Sequence, residues 1–207
     1  MCGRYVVKNP VTKTSSLVKS AIQVEDTENY NAHPYQKLPV IKKYKNGNTL
    51  EALKWGLVPG WAKDKEFKAL INARLETIDE KVSFKKLIKN HRCVAVADGF
   101  YEWKREENEK TPHYFVRKDS NVIYFAGIFE EDQFCLITEE AKENIKEIHH
   151  RQPVILNQAD VNRYLNLELQ GSAFLNERKV PDLVFHEVSK DVNKPTNNTV
   201  SLIQKIS

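Results

Sequence analysis

Short runs of alternating apolar and polar residues predict that β-strands joined by tight turns make up most of this chain. Residues 40–44 and 49–55 alternate in this way, and Asn46-Gly47 separates them. The Asn-Gly dipeptide tolerates the positive φ angles that a two-residue hairpin turn requires. We therefore predict an antiparallel hairpin over residues 40–55.

A second hairpin is predicted over residues 93–104, where Asp98-Gly99 separates two apolar runs. The period of two along a strand then places Glu102 and Trp103 on opposite faces. Short polar turns separate the segments that follow, so we expect an antiparallel meander. Its further strands are predicted over residues 113–117, 122–129 and 134–137.

Two segments have the apolar spacing of helices. Residues 12–22 repeat apolar side chains at helical intervals behind hydroxyl residues that can cap a helix. A second helix is predicted to begin at Thr138 and to end near His149-His150, because Pro153 prevents its continuation. The helix dipole would stabilise a protonated histidine at that end, which suits proton donation near neutral pH. Alternatively, either histidine only caps the helix.

Length and composition indicate an ordinary globular domain. The 207 residues are 41% hydrophobic and 29% charged, so we predict one domain over residues 1–207 of the α+β class, with mainly antiparallel sheets and short flanking helices. No apolar run is long enough to span a bilayer, and we expect no membrane role. Lysines interrupt the N-terminal segment, which therefore lacks the apolar core of a signal peptide. We expect a cytoplasmic protein, nucleoid-associated if its source is prokaryotic.

The motifs of common cofactors are missing from the sequence. The three cysteines form no C-x-x-C pair, the six histidines include no H-E-x-x-H, and neither a P-loop nor a G-x-G-x-x-G occurs. We therefore expect no metal, no nucleotide cofactor and no disulfide framework. The net charge of +4 is compatible with a nucleic-acid partner, although a basic solvated surface explains it equally well.

The second residue carries the most distinctive chemistry. Removal of Met1 would leave Cys2 with an α-amine and a thiol on adjacent carbons, an aminothiol that condenses with an aldehyde to a thiazolidine. Both groups titrate near neutral pH, and a cation close in space would favour the thiolate. Arg4 is a cation that lies close to Cys2 along the sequence. The alternative is a buried and inert thiol.

Three other segments can carry chemistry. Glu102 lies among aromatic residues, and partial desolvation would raise its pKa toward the range of general acid/base catalysis; an exposed strand glutamate is the alternative. Asn72 can orient an amine and Arg74 can bind phosphate, unless they belong to a solvated segment. Trp61 follows a Pro-Gly breaker, so we expect an exposed indole that stacks on unpaired bases rather than a core tryptophan.

Together these segments resemble the SRAP family, whose members shield abasic sites in single-stranded DNA. The family's sequence blocks occur in order along nearly the whole chain, as Met1-Cys2-Gly3-Arg4-Tyr5, Trp55-Gly56-Leu57-Val58-Pro59, Asn72-Ala73-Arg74, Gly99-Phe100-Tyr101-Glu102-Trp103, Phe125-Ala126-Gly127, His149-x-Arg151-x-Pro153 and Val188-Ser189-x-x-Val192-Asn193. The resemblance implies a barrel-like arrangement of the sheets.

The resemblance also implies a mechanism and a set of site residues. Cys2 would form a thiazolidine crosslink with the ring-opened abasic sugar. Asn72 would position the N-terminus, Glu102 would serve acid/base steps, and His149 would shuttle protons. Five residues match positions that contact DNA in the family: Arg4 and Arg74 on phosphates, Pro39 and Trp61 against bases, and Thr138 on the backbone.

Four residues depart from the family pattern without removing a catalytic group. Val96 and Gln152 replace a frequent proline and a frequent methionine. His33 and Tyr35 alter a block that spans residues 31–36. The resemblance implies that His33 and Tyr35 change which side chains pack beside the abasic site.

Two other classes of function fit parts of the sequence. An N-terminal-nucleophile hydrolase or thiol peptidase would use Cys2 to attack an amide. A non-catalytic module would bind single strands through Arg4, Arg74 and Trp61 without a covalent product. The leading hypothesis is a monomeric crosslinking enzyme whose partner is single-stranded DNA with abasic sites.

Overall fold

The structure is a computed structural model that describes residues 2–45, 47–62, 66–107 and 109–206, apart from the side chains of residues 143 and 144. Met1 and Asn46, on which two of the predictions depend, lie outside these residues. The strands in chain order are β1 (Tyr5–Lys8), β2 (Ser20–Ile22), β3 (Glu28–Ala32), β4 (Lys37–Tyr44), β5 (Gly47–Trp55), β6 (Asn72–Arg74), β7 (Arg92–Ala97), β8 (Gly99–Glu106), β9 (Glu109–Arg117), β10 (Ile123–Glu130), β11 (Gln133–Glu140), β12 (Arg151–Pro153), β13 (Ile155–Leu156) and β14 (Leu183–Glu187).

Helices are short and lie outside the sheets. The α-helices are α1 (Pro10–Thr14), α2 (Leu87–Asn90), α3 (Gln158–Leu165) and α4 (Ala173–Glu177), and 3₁₀ turns occupy Gly60–Ala62, Leu75–Thr77, Glu143–Glu147, Lys190–Asn193 and Val200–Ile203. Among the helices that the structure describes, none has the length and apolar character needed to cross a membrane.

The strands form two sheets. The smaller sheet has the order β14-β9-β8-β1-β3, and all its pairs are antiparallel. The larger sheet has the order β12-β11-β10-β7-β4-β5-β2, with β13 on β10 and β6 on β11. A parallel pairing of β11 with β5 closes five of its strands into a ring. The predicted α+β class with barrel-like, mainly antiparallel sheets is confirmed.

Alternate residues of the central strand β7 face two different parts of the core. Cys93, Ala95 and Ala97 belong to the apolar cluster that joins the two sheets, while Val94 and Val96 belong to the cluster covered by the helices. This alternation is the one that a strand buried on both faces requires. Burial on both faces makes β7 a fixed support for the elements that carry the site.

The hairpin predicted around Asp98-Gly99 is wrong. β7 pairs with β10 and β4, whereas β8 pairs with β1 and β9, so these two residues carry the chain from one sheet to the other. Position 99 requires glycine because the Tyr114 ring packs against its backbone, and a Cβ there would lie 2.4 Å from that ring. The φ angle of Gly99 is not in the left-handed region. The hairpin of β4 with β5 is confirmed, although Gly47 belongs to β5, where it pairs with Tyr44, and not to the turn as predicted.

Both predicted helices are wrong over most of their length. Within residues 12–22, α1 ends at Thr14 and residues 20–22 pair with β5 as a strand. Thr138 lies inside β11, since strand pairing with β6 and β12 on its two sides outweighs its capping propensity. The helical turn before His149 is a 3₁₀ turn over Glu143–Glu147.

Candidate active site

Cys2 belongs to the apolar cluster that joins the two sheets and is fully buried. The pairing of Tyr5 with Phe100 places β1 beside β8, which carries Glu102. Burial raises the pKa of the Cys2 thiol far above its usual range, and the charge of Glu102 adds to this effect. The thiolate that a nearby cation would favour is therefore not the resting form.

Asn72 connects Cys2 to the larger sheet. As the first residue of β6, it is held by pairing with Leu136 of β11. Its Nδ2 donates a hydrogen bond to the Cys2 carbonyl oxygen at 3.0 Å. Its Oδ1 is buried and accepts no hydrogen bond from any residue that the structure describes. Asn72 therefore holds the backbone of Cys2 through Nδ2, while its Oδ1 can accept a further hydrogen bond.

Glu102 and His149 form a carboxyl–imidazole pair beside Cys2. Glu102 Oε2 and His149 Nε2 lie 4.0 Å apart, and the Glu102 side chain is 3% exposed. Burial raises the pKa of Glu102 to about 7, as the sequence predicts. Burial lowers the pKa of His149 to about 4, so the predicted stabilisation of its protonated form is wrong. Between about pH 4 and 7 the proton of this pair therefore belongs to Glu102 and not to His149.

The ring of His149 is held by its neighbours. Its Nδ1 accepts a hydrogen bond from the Arg151 backbone N–H at 2.9 Å. The ring of His150 stacks on it with centroids 4.4 Å apart. The Nδ1 of His149 also lies 3.1 Å from the Arg151 carbonyl oxygen, so the backbone of Arg151 can hold the ring in either tautomer. In both tautomers Nε2 is the ring nitrogen that faces Glu102.

A basic groove opens on the solvent side of this pair. A cavity of about 680 Å³ is lined by His149, by the cations Arg74, Lys104, Arg105, Lys146 and Arg151, and by the carboxylates Glu106 and Glu147, so cations outnumber carboxylates. Within the described part of the chain, the guanidinium groups of Arg74 and Arg105 make neither a hydrogen bond nor an ion pair. Arg105 was not among the residues predicted from the sequence. The signal was available in the Lys104-Arg105 pair that follows Glu102 on the same strand.

Arg4 has a different environment from Arg74. Its Nη1 donates to Asn31 Oδ1 at 2.6 Å and to the Val192 carbonyl oxygen at 2.7 Å. Its Nε is buried. Much of the Arg4 guanidinium therefore holds the C-terminal segment against the N-terminal strand, and only Nη2 is left for a phosphate.

The other predicted DNA contacts are not brought together. Trp61 is 53% exposed, and its ring meets the edge of Phe67. Pro39 lines a separate cavity of about 470 Å³ with Val7 and Pro10. The buried Thr138 lies beneath Arg151, whose Nη2 donates to its carbonyl oxygen at 2.7 Å. A direct contact of Thr138 with DNA stays a prediction that requires Arg151 to move.

Arg151 supports the floor of the groove. It is buried and donates two hydrogen bonds to the Glu76 carboxylate, at 2.7 and 3.0 Å. Because Glu76 follows Arg74 by two residues, this pair fixes the segment that presents the Arg74 guanidinium. The motif residue Arg151 thus positions the groove as well as the His149 ring.

The site thus combines a buried cysteine, a carboxyl–imidazole pair and a neighbouring groove with exposed cations, which are the groups that a nucleophile, a proton relay and a surface for an anion require. Residues 1–195 match the family described as SOS response associated peptidase, or SRAP. The chain belongs to the SRAP family.

Curated relatives agree with this assignment, and a solved structure has the same fold. The chain is 34% identical to the abasic site processing protein YoqW of Bacillus subtilis, over 99% of both chains. It is 30% identical to the abasic site processing protein YedK of Escherichia coli, over the full length of both. A crystal structure of a Bacteroides thetaiotaomicron protein matches the fold with a TM-score of 0.85, at 24% identity over all of both chains.

Proposed function

We propose that this protein processes abasic sites in single-stranded DNA by forming a thiazolidine crosslink between Cys2 and the ring-opened sugar, which shields the lesion. The processing of abasic sites is supported by membership of the SRAP family and by the names of the relatives. The observation that carries the chemistry is the placement of Asn72. Its Nδ2 binds the Cys2 carbonyl, and its unused buried Oδ1 can accept from the Cys2 α-amine once Met1 is removed.

The first steps require an acid and a base in a desolvated place. Opening of the sugar moves a proton from the C1′ hydroxyl to the ring oxygen and frees the aldehyde. The neutral α-amine of Cys2 then attacks this aldehyde, and the carbinolamine loses water when the oxygen is protonated. Glu102, with a pKa raised to about 7 by burial, can donate that proton and take it back. His149 relays protons between Glu102 and the groove.

Ring closure completes the crosslink without another reactant. The Cys2 sulfur adds to the imine carbon, while the thiol proton passes to the imine nitrogen through Glu102. The high pKa of the buried thiol supports this order, in which the amine reacts first. A thiol peptidase would need the thiolate as its first nucleophile, so burial favours the crosslinker over that alternative.

The groove would hold the DNA strand without reading its sequence. Arg74 and Arg105 are exposed cations on the walls of a cavity that contains His149. Contacts from arginine to phosphates fix the position of a strand and carry no base information. The exposed Trp61 ring adds a surface for stacking on an unpaired base.

A crosslinking assay tests the proposal. Protein incubated with an oligonucleotide that contains one abasic site should give an adduct that survives heating in denaturant and migrates slowly in a gel. The same oligonucleotide without the lesion should give none. Cys2→Ala should give no adduct while it still binds the strand. An unimpaired Cys2→Ala protein would rule out this nucleophile.

A further inference from the structure

Tyr35 combines an exposed aromatic ring with a backbone conformation that bulky residues rarely adopt. The residue is 56% exposed, slightly more than Trp61. Its φ angle of 76° lies in the left-handed region, which suits glycine and is an outlier for a bulky side chain. Such outliers persist where surrounding contacts impose them, and they concentrate at functional sites.

Backbone hydrogen bonds impose this conformation. The Tyr35 N–H donates to the Trp55 carbonyl oxygen at 2.7 Å, and the Trp55 N–H donates to the Gln36 carbonyl oxygen at 2.9 Å. The edge of the Tyr35 ring lies 3.7 Å from where a Cβ would be at Gly56. The ring therefore rests on a bare backbone and presents its remaining surface to solvent.

The strand register places the turn that carries Tyr35 at the end of β1 nearest in sequence to Cys2. In the antiparallel pair of β1 with β3, Tyr5 is opposite Ala32. Because β3 ends at Ala32, the turn that carries Tyr35 begins at the end of β1 that follows Cys2, Gly3 and Arg4 in the sequence. The Trp55 ring, whose backbone binds Tyr35, packs on the Tyr5 ring with centroids 5.2 Å apart.

We propose that Tyr35 is a stacking residue for the unpaired base next to the lesion, a role that rests on the proposed crosslinking of abasic single-stranded DNA. Every base has a π-face, so a ring fixed beside the nucleophile binds the neighbouring base without sequence preference. The rigid, exposed position makes the ring available before DNA arrives. Trp61 belongs to the turn that follows Gly56 and supplies a second such ring.

Tyr44 provides a matched control. It is a tyrosine of similar exposure, 51%, at the opposite end of β4 from the segment that carries Tyr35. The eight residues of β4 separate the two ends by roughly 23 Å. A general effect of removing an exposed tyrosine would appear at both positions, whereas stacking beside the lesion would appear only at Tyr35.

The test measures affinity and stability together in the Cys2→Ala background, using fluorescence anisotropy with a single strand that carries an unreactive tetrahydrofuran abasic analogue. Tyr35→Gly should weaken binding by about 5-fold to 150-fold, the range that the loss of one stacked base gives. It should keep or raise Tm, because glycine relieves the left-handed backbone. Tyr35→Phe and Tyr44→Gly should bind within about twofold of the parent.

On a strand that lacks the base on one side of the analogue, Tyr35→Gly and its parent should bind with equal affinity. Tyr35→Gly binding within about twofold of the parent, in a protein that Arg74→Ala weakens, would overturn the stacking role alone. An equal loss from Tyr44→Gly would also overturn it. Failure of the Cys2 protein to crosslink a reactive abasic strand would instead overturn the proposed function, and the role of Tyr35 with it.

Discussion

Two regions of the site differ in their exposure to water: the buried compartment formed by Cys2 and Glu102, and the groove that contains His149. In the compartment, Cys2 and Glu102 are buried, and the pKa of Glu102 rises to about 7. In the groove, Arg74 and Arg105 are exposed charges on the walls of an open cavity. Burial prepares groups for proton transfer, whereas exposure leaves charges free for a polyanion. Substitutions in the two regions should therefore change different observables.

The largest effect is expected from Glu102→Gln in the compartment. An amide of the same shape cannot donate the proton that carbinolamine dehydration requires, so the crosslinking rate at saturating DNA should fall by about 10²-fold to 10⁴-fold. In the parent, the rate should decline as pH rises through about 7, where Glu102 loses its proton. This decline should be missing from the variant. Single-turnover rates from pH 5 to 9 measure both effects.

The same substitution should raise stability at alkaline pH. The folded-state pKa of Glu102, about 7, lies above the usual glutamate pKa of 4.5, so the folded protein binds more protons than the unfolded chain between these values. Stability therefore falls as pH rises through this window, by up to about 3 kcal/mol. Urea unfolding should show Glu102→Gln more stable than the parent at pH 8 and nearly equal at pH 4. Equal differences at both values would contradict the raised pKa.

Arg4→Ala should lower the free energy of unfolding much more than Arg74→Ala does. The two hydrogen bonds of Arg4 to Asn31 and Val192 join distant segments, and their loss should lower the free energy of unfolding by about 1–3 kcal/mol. The exposed Arg74 should contribute less than about 0.5 kcal/mol. Urea unfolding of both variants measures this difference. Equal losses would show that the two arginines share one role.

The smallest effect is expected from Arg74→Ala or Arg105→Ala on DNA binding. Each should lower the dependence of log affinity on log salt by about 0.7, the contribution of one phosphate contact on a single strand. The crosslinking rate at saturating DNA should stay near that of the parent. Arg163→Ala is the matched control, since this exposed arginine is paired with Glu168 on another face. If neither Arg74→Ala nor Arg105→Ala changes the dependence of log affinity on log salt, this groove does not bind phosphates.

Local signals predicted the sheets better than they predicted their connections. The strands β10 and β11 form a hairpin because their pairing involves neighbours in the sequence. Asp98-Gly99 also has the composition of a hairpin turn, yet its geometry depends on Tyr114, which is distant in the sequence. Thr138 became part of a strand for a similar reason, because two non-local partners enclose it.

The residue types of the site were predictable, but their surroundings were not. The aromatic neighbours of Glu102 indicated its desolvation and its raised pKa. The low pKa of His149 arises from burial that no helix pattern reveals. The engagement of Arg4 by Val192 joins residues 188 positions apart, and Pro39 faces a separate cavity. These outcomes depend on which way a side chain faces after the sheets have closed.

An intact mass of the protein after incubation with an abasic oligonucleotide tests the central claim most directly. The proposal predicts a protein without Met1 and an adduct whose mass is the sum of protein and oligonucleotide minus one water, unchanged by borohydride because a thiazolidine is not an imine. Trypsin digestion should place the modification on the N-terminal peptide. An adduct that retains the water, gains two hydrogens on reduction, or forms on a chain that still carries Met1 would contradict a thiazolidine at Cys2.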